Sequence, residues 1–160
     1  AALSEGKVQV ASGYGNNEPL VLEQQGIKLN VINVSDFFPL ASDGIITSEG
    51  LIKSQPDIVR GFVRATLKGM QDVIADPTAA FDTALAYIPE LKTADQKTQD
   101  LQRKVLVATI AYWQSDATKA SGLGFTDVKN WQATHTFLRD SALLKTDLDV
   151  SKAFTNDFLK

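Results

Sequence analysis

Strand character in this chain is confined to short segments before residue 48, and everything after them is patterned as helix. Lys7-Val8-Gln9-Val10-Ala11-Ser12-Gly13 alternates and then meets a turn, as a short strand does. Asn17-Glu18-Pro19 opens a helix through Gln25, with asparagine as the cap and proline in the first turn, where its missing N–H costs nothing. Gly26 is the C-terminal stop. Ile27 to Val34 is a second strand, with Leu29, Val31 and Asn33 on one face. Strand–helix–strand in this order is a βαβ unit whose strands run parallel. Two strands alone are not a stable sheet, so the unit needs neighbours.

Ser35-Asp36-Phe37-Phe38-Pro39 is a break, and Gly44-Ile45-Ile46-Thr47 is the last strand-like stretch. From Ser48 on, the pattern is helical. Pro56 to Ala75 carries Val59, Phe62, Val63, Leu67, Met70 and Ile74 on one stripe, with Arg60, Arg64, Lys68 and Gln71 on the opposite one. Asp76-Pro77 starts a helix to about Ile88, ended by Pro89. Thr93-Ala94-Asp95-Gln96 fits a capping box for a helix to about Ser115. Ala120 to Gly124 reads as a loop, Thr126 as the cap of a helix to about Ser141, and Asp149 to Phe154 as a final short turn.

Composition narrows the function classes. A 44% hydrophobic and 22% charged chain fits a globular protein and not a disordered one. The net charge of −3 argues against a nucleic-acid partner, whose binding is usually driven by basic patches. With no cysteine, the chain has no disulfide, thiolate nucleophile or Cys-based metal site. Its single histidine, His135, excludes a multi-His metal site within these residues. No apolar run reaches the ~18–20 residues of a membrane span. The N-terminus lacks the basic and apolar regions of a signal peptide, so either the protein is not exported or its start has been removed. No catalytic residue, metal site or cofactor is expected.

Gly13-Tyr14-Gly15-Asn16-Asn17-Glu18 follows a strand and precedes a helix, close to a dinucleotide-binding fingerprint. Glu18 occupies the place of the third glycine, however, and a carboxylate there would repel a phosphate. Two readings remain: a plain structural turn, or a ligand-facing loop with a tyrosine that stacks and amide and carboxylate groups that hydrogen-bond. His135, centred on the stripe Val128, Trp131, Leu138 and Ala142, reads as a partly buried packing residue without an acidic partner. Tyr112-Trp113 reads as core, and Asp147 with Asp149 as a solvated loop.

Several stretches, taken in order, resemble one family. These are Leu3-Ser4-Glu5-Gly6-Lys7-Val8-Gln9-Val10, the Asn17-Glu18-Pro19 step into a helix, Gln25-Gly26-Ile27, and Asp43-Gly44-Ile45-Ile46-Thr47-Ser48-Glu49. The helix Pro56-Asp57-Ile58-Val59-Arg60-Gly61-Phe62-Val63-Arg64-Ala65-Thr66 through Gly69 continues the series, as do Asp76-Pro77, Trp131-Gln132-Ala133-Thr134 and Phe154-Thr155-Asn156-Asp157-Phe158-Leu159. Together they are similar to ABC-transporter substrate-binding proteins of the thiamine-pyrimidine-precursor branch, related to nitrate, sulfonate and taurine binders. Gln9, where many members have Asp, and Phe37-Phe38, in place of Tyr-Gly, depart from the pattern and bear on which ligand is bound.

The resemblance implies an α/β fold, the C-terminal part of a two-lobed type II periplasmic-binding-protein-like architecture that is helix-rich after residue 48. Residues 1–36 would be the end of the second lobe; residues 37–160 would be the crossover and the helical remainder of the first. It implies capture of a small polar or heteroaromatic ligand (thiamine-precursor, sulfonate, nitrate or riboflavin-like) in an interlobe cleft, without chemistry. Tyr14, Asn16, Asn17 and Glu18 are the expected cleft residues, with Asp36 and Phe37 near the hinge. The implied partners are the ligand, an ABC permease, and either the missing N-terminal half or another copy of the chain, in a periplasmic or extracellular, membrane-associated setting. The alternatives are a pyrimidine-precursor synthase on the same fold and a small helical interaction domain.

Overall fold

A computed structural model describes residues 2–160. Its helices are α1 (Glu18–Gln24), α2 (Glu49–Ser54), α3 (Pro56–Ala75), α4 (Pro77–Tyr87), α5 (Pro89–Lys92), α6 (Gln96–Trp113), α7 (Asp116–Ser121) and α8 (Val128–Asp140). Short 3-10 turns lie at Val34–Asp36 and Val150–Lys152. The chain divides into two compact units: one takes in the chain up to Ile32 together with Asp72–Trp113, the other Asn33–Gln71 and Gln114–Lys160.

No strand is formed among the described residues, which corrects the strand assignments at Lys7–Ser12, Ile27–Val34 and Gly44–Thr47. These segments lack the regular structure and the ladder bonds of strands. A strand exists only by virtue of a partner's N–H and C=O groups, and the described residues bring none alongside. Ile27 and Leu29 are half-buried, whereas Val10, Ile32 and Ile46 lie 84%, 77% and 96% exposed. The helix-rich character after residue 48 is observed as expected.

In the first unit, α1 packs on α6, and α4 and α5 also pack on α6. Gly26, with φ +82°, ends α1: its N–H reaches Glu23 O at 2.9 Å and Ile27 N–H reaches Leu22 O at 3.0 Å. That left-handed conformation is the one glycine adopts without a Cβ penalty. Asp76 caps α4 by accepting the Ala79 N–H at 2.9 Å, with Pro77 in the first turn. Phe81 and Leu101 are this unit's buried side chains. The Arg103 guanidinium lies 4.1 Å from the Phe81 ring centroid and donates to Asp82 Oδ1 at 2.9 Å, covering the ring with a fixed cation. The cap of α6 is Asp95 and not Thr93: its Oδ1 accepts the Thr98 N–H at 2.8 Å, whereas Thr93 Oγ1 bonds back to Pro89 O. Pro89 ends α4 and also starts α5, in the one place where proline costs a helix no hydrogen bond. Tyr112, expected in the core, is 59% exposed.

The second unit is built on α3 and α8. Val59 and Val63 are buried, and Leu67 and Met70 half-buried, as the stripe predicts. Phe62 departs from it at 62% exposure, because it shares a row with Ile58, four residues back and 57% exposed, on a side that nothing covers. Helix α7 replaces the start of the expected loop; Ser115 and Thr118 cap each other's backbone N–H groups at 3.1 and 2.8 Å. The cap of α8 is Asp127, one residue past Thr126.

Along α8 runs a row of fasteners at four-residue spacing. Arg139 donates to Leu144 O at 3.3 Å; His135 Nε2 faces both the Leu148 N–H at 3.3 Å and the Asp147 carboxylate at 3.1 Å, one nitrogen that can bond only one of them at a time; Trp131 stacks on Phe154 at 5.2 Å with an interplanar angle of 10°. Asn156 completes the row by bonding both N–H and C=O of Thr126 at 3.1 and 3.0 Å. The chain from Leu144 to Asn156 therefore returns antiparallel to α8 as a strap. His135 is half-buried as predicted, but Asp147, twelve residues on, gives it the acidic partner that the sequence reading denied it.

Candidate functional site

The loop before α1 is the sequence's strongest candidate, and its backbone is closed by its own side chains. Glu18 Oε2 accepts the Tyr14 N–H at 2.6 Å, while Tyr14 O accepts the N–H groups of Asn17 at 2.9 Å and Glu18 at 3.2 Å. Gly13 is required by this closure: a Cβ there would stand 3.1 Å from Cβ, Cγ and Oε2 of Glu18. The carboxylate thus substitutes for a phosphate as the acceptor of a loop N–H, a physical reason why the glycine-rich spelling does not make a dinucleotide site.

Asn16 is positioned from outside the loop. Its Nδ2 donates to Thr109 Oγ1 at 2.9 Å, and Thr109 in turn donates to Val105 O within α6 at 2.8 Å. Thr109, ninety-three residues away, carried no sequence signal. Asn17 stands at the cap position without capping: with φ −130° and ψ −73° it makes no side-chain cap bond. Its amide stays available, as does the Tyr14 ring, which is 71% exposed. A ring that can stack, a free amide and a fixed carboxylate thus lie within five residues.

Asp36 and Phe37 belong to the second unit, whereas Tyr14 to Glu18 belong to the first. Asp36 closes the 3-10 turn by donating its N–H to Asn33 O at 3.1 Å, leaving its carboxylate without a partner. Phe37 is 68% exposed, while its neighbour Phe38 packs at 5.7 Å and 55° on Phe137 of α8. Among the described residues, no group of His, Cys, Asp or Glu is arranged to hold a metal ion, and no helix is long and apolar enough to cross a membrane.

Residues 1–80, half of the chain, match the family described as NMT1/THI5 like. The chain belongs to the NMT1/THI5-like family. Over 159 residues, 99% of its length, it is 46% identical to the riboflavin-binding protein RibY of Chloroflexus aurantiacus and spans 44% of that protein. Over 105 residues, 66% of its length, it is 23% identical to the 4-amino-5-hydroxymethyl-2-methylpyrimidine phosphate synthase of Legionella pneumophila, spanning 29% of it. The chain thus covers less than half the length of either relative. No solved structure matches it. Membership of the NMT1/THI5-like family agrees with the resemblance read from the ordered motifs.

Proposed function

We propose that this chain is the C-terminal portion of a solute-binding protein with a type II periplasmic-binding-protein fold, serving an ABC importer outside the cytoplasmic membrane. The carrying observation is 46% identity along 99% of the chain to a protein named for binding riboflavin. In this reading, residues 1–36 end the second lobe and residues 37–160 supply the crossover and the helical remainder of the first. These lobes belong to the longer fold and are a different division from the two compact units. The segments that read as strands but remain unpaired would gain ladder partners from the rest of the sheet.

The ligand is a small heteroaromatic molecule of riboflavin-like kind, stacked on Tyr14 and hydrogen-bonded by Asn16, Asn17 and Glu18. The exposed Tyr14 ring and the unused Asn17 amide support this reading. The protein binds and does not transform its ligand; closing the two lobes around it excludes water and strengthens its hydrogen bonds. Riboflavin titrated against the protein should lose fluorescence, raise the melting temperature and be recovered unchanged. No change in melting temperature at saturating riboflavin would remove the riboflavin-like reading. The weaker match to a synthase motivates a second reading, an enzyme that makes a pyrimidine precursor. Formation of a pyrimidine phosphate by the protein would favour it over the binder.

A further inference from the structure

The polar stripe of α3 is not absorbed by the proposed ligand loop, and the structure divides it in two. Arg60 is committed to holding the end of the chain: its Nη1 donates to Asp157 O at 3.0 Å and to Lys160 O at 3.1 Å, and its guanidinium lies 5.4 Å from the Phe158 ring centroid. Arg64 and Gln71, one and three turns further along the same face, make no hydrogen bond or ion pair. Both line a groove of about 930 Å³ within the second unit, together with the apolar Leu67, Phe125 and Leu159.

This groove is built, not left over. Gly124 adopts φ +87°, and a Cβ there would fall 2.7 Å from Leu67 Cδ2 and 3.2 Å from Leu159 Cδ2. Only glycine lets the backbone come down onto these two leucines and close the apolar floor. Thr126 and Asn156, bonded to each other twice, hold the flanking segments in register. The charged side chains around the groove are Arg64, Lys68, Lys160 and Asp157, and of these Arg64 is the cation placed on the polar face of α3 beside the apolar floor.

We propose that this groove is a second binding site, for a small amphipathic anion. Its flat apolar body lies on Leu67, Phe125 and Leu159, and its carboxylate, sulfonate or phosphate faces Arg64. The volume lies within the ~300–1,000 Å³ of small-molecule sites, and the lining has their composition: an apolar floor with a few convergent polar groups. Arg64 and Gln71 are ~10 Å apart along the helix, which sets the span of the ligand at about that of a fused bicyclic ring with one anionic substituent. A guanidinium supplies the planar fork that pairs with such a group in two parallel bonds. The site shares no residue with the loop at Tyr14 to Glu18, so it stands or falls separately from the riboflavin-like reading.

Naphthalene-2-sulfonate, titrated into the ¹⁵N-labelled 160-residue chain, is the test. Saturable amide shifts should concentrate at residues 64–71 and 121–125. Arg64→Glu, an exposed substitution whose folding is checked by circular dichroism, should weaken the affinity by about tenfold or more, equivalent to ~1.4 kcal/mol. The neutral 2-naphthalenemethanol should bind correspondingly less well. Shifts spread over residues 2–32 as strongly as over the groove, equal binding of the neutral compound, or unchanged affinity in Arg64→Glu would each overturn the proposal.

Discussion

Glu18 shows how much a single side chain decides here. In a nucleotide-binding loop its position calls for glycine, because the backbone must approach a phosphate. Here the carboxylate takes up a loop N–H itself, at 2.6 Å from Tyr14 N. Glu18→Ala should leave that N–H to water and speed its hydrogen exchange about fivefold, the effect of losing ~1 kcal/mol of local hydrogen bonding. Unchanged exchange at Tyr14 would show that the loop is closed by other contacts. Gly124 is the second such residue. Gly124→Ala combines a left-handed φ of +87° with a methyl group 2.7 Å from Leu67 Cδ2, and should destabilise the second unit by about 1–2 kcal/mol. The midpoint of urea unfolding measures it. Asn16 and Thr109 carry the complementary lesson: each is an ordinary polar residue in sequence, and only folding makes their 2.9 Å bond.

At the scale of the element, helix ends carry most of the specific chemistry. Asp95 and Asp149 both have a carboxyl pKa below the usual aspartate value. The Thr98 hydroxyl and then its N–H bring this about for Asp95; the Ser151 hydroxyl and then its N–H do so for Asp149. A folded-state pKa below the unfolded one means that the cap contributes fully above the unfolded value of 3.8 and is lost as pH falls through the folded one. The start of α6 should therefore fray in strong acid, with protection of the Thr98 amide lost; Asp95→Ala should remove that protection already at neutral pH. The strap on α8 is held by larger surfaces. Phe154→Ala removes the ring stacked on Trp131 and should cost about 2 kcal/mol, measured as a lower urea midpoint. Helix positions were legible in sequence because caps, prolines and apolar spacing all act within a few residues. Pro56 to Ala75 is predicted to the residue. The short helices α5 and α7 were not foreseen, and the cap errors fell where neighbouring candidates compete, with Asp95 prevailing over Thr93 and Asp127 over Thr126. Thr126 is instead drawn into tertiary bonds with Trp131 Nε1 and Asn156.

The whole molecule carries more apolar surface than its own packing can hide. Among the described residues, only Val59, Val63, Phe81 and Leu101 form the buried hydrophobic set, while Phe37, Phe62, Ile32 and Ile46 all lie more than half exposed. The accessible surface is 11841 Å². Two separate compact bodies of half this mass would expose only ~9,500 Å². Such a surface favours association with further polypeptide, consistent with the proposal that the chain works within a longer protein. Hydrogen exchange makes the point measurable. Amides of residues 28–33, which make no backbone bond, should exchange at nearly the rate of an unfolded chain, while those of residues 101–109 within α6 stay protected. Strong protection at residues 28–33 would mean that the segment pairs with another chain in solution.

The sequence by itself determined where the longer helices lie and to which family the chain belongs, because helical bonds close within four residues and motif order needs no third dimension. Tertiary structure alone decided what each helix covers. It placed Asp147 against His135, tied Asn16 to α6 and left Phe62 uncovered. It also decided that the strand-like segments remain unpaired, since a strand is completed only by another segment's hydrogen bonds and no alternation within it can supply them.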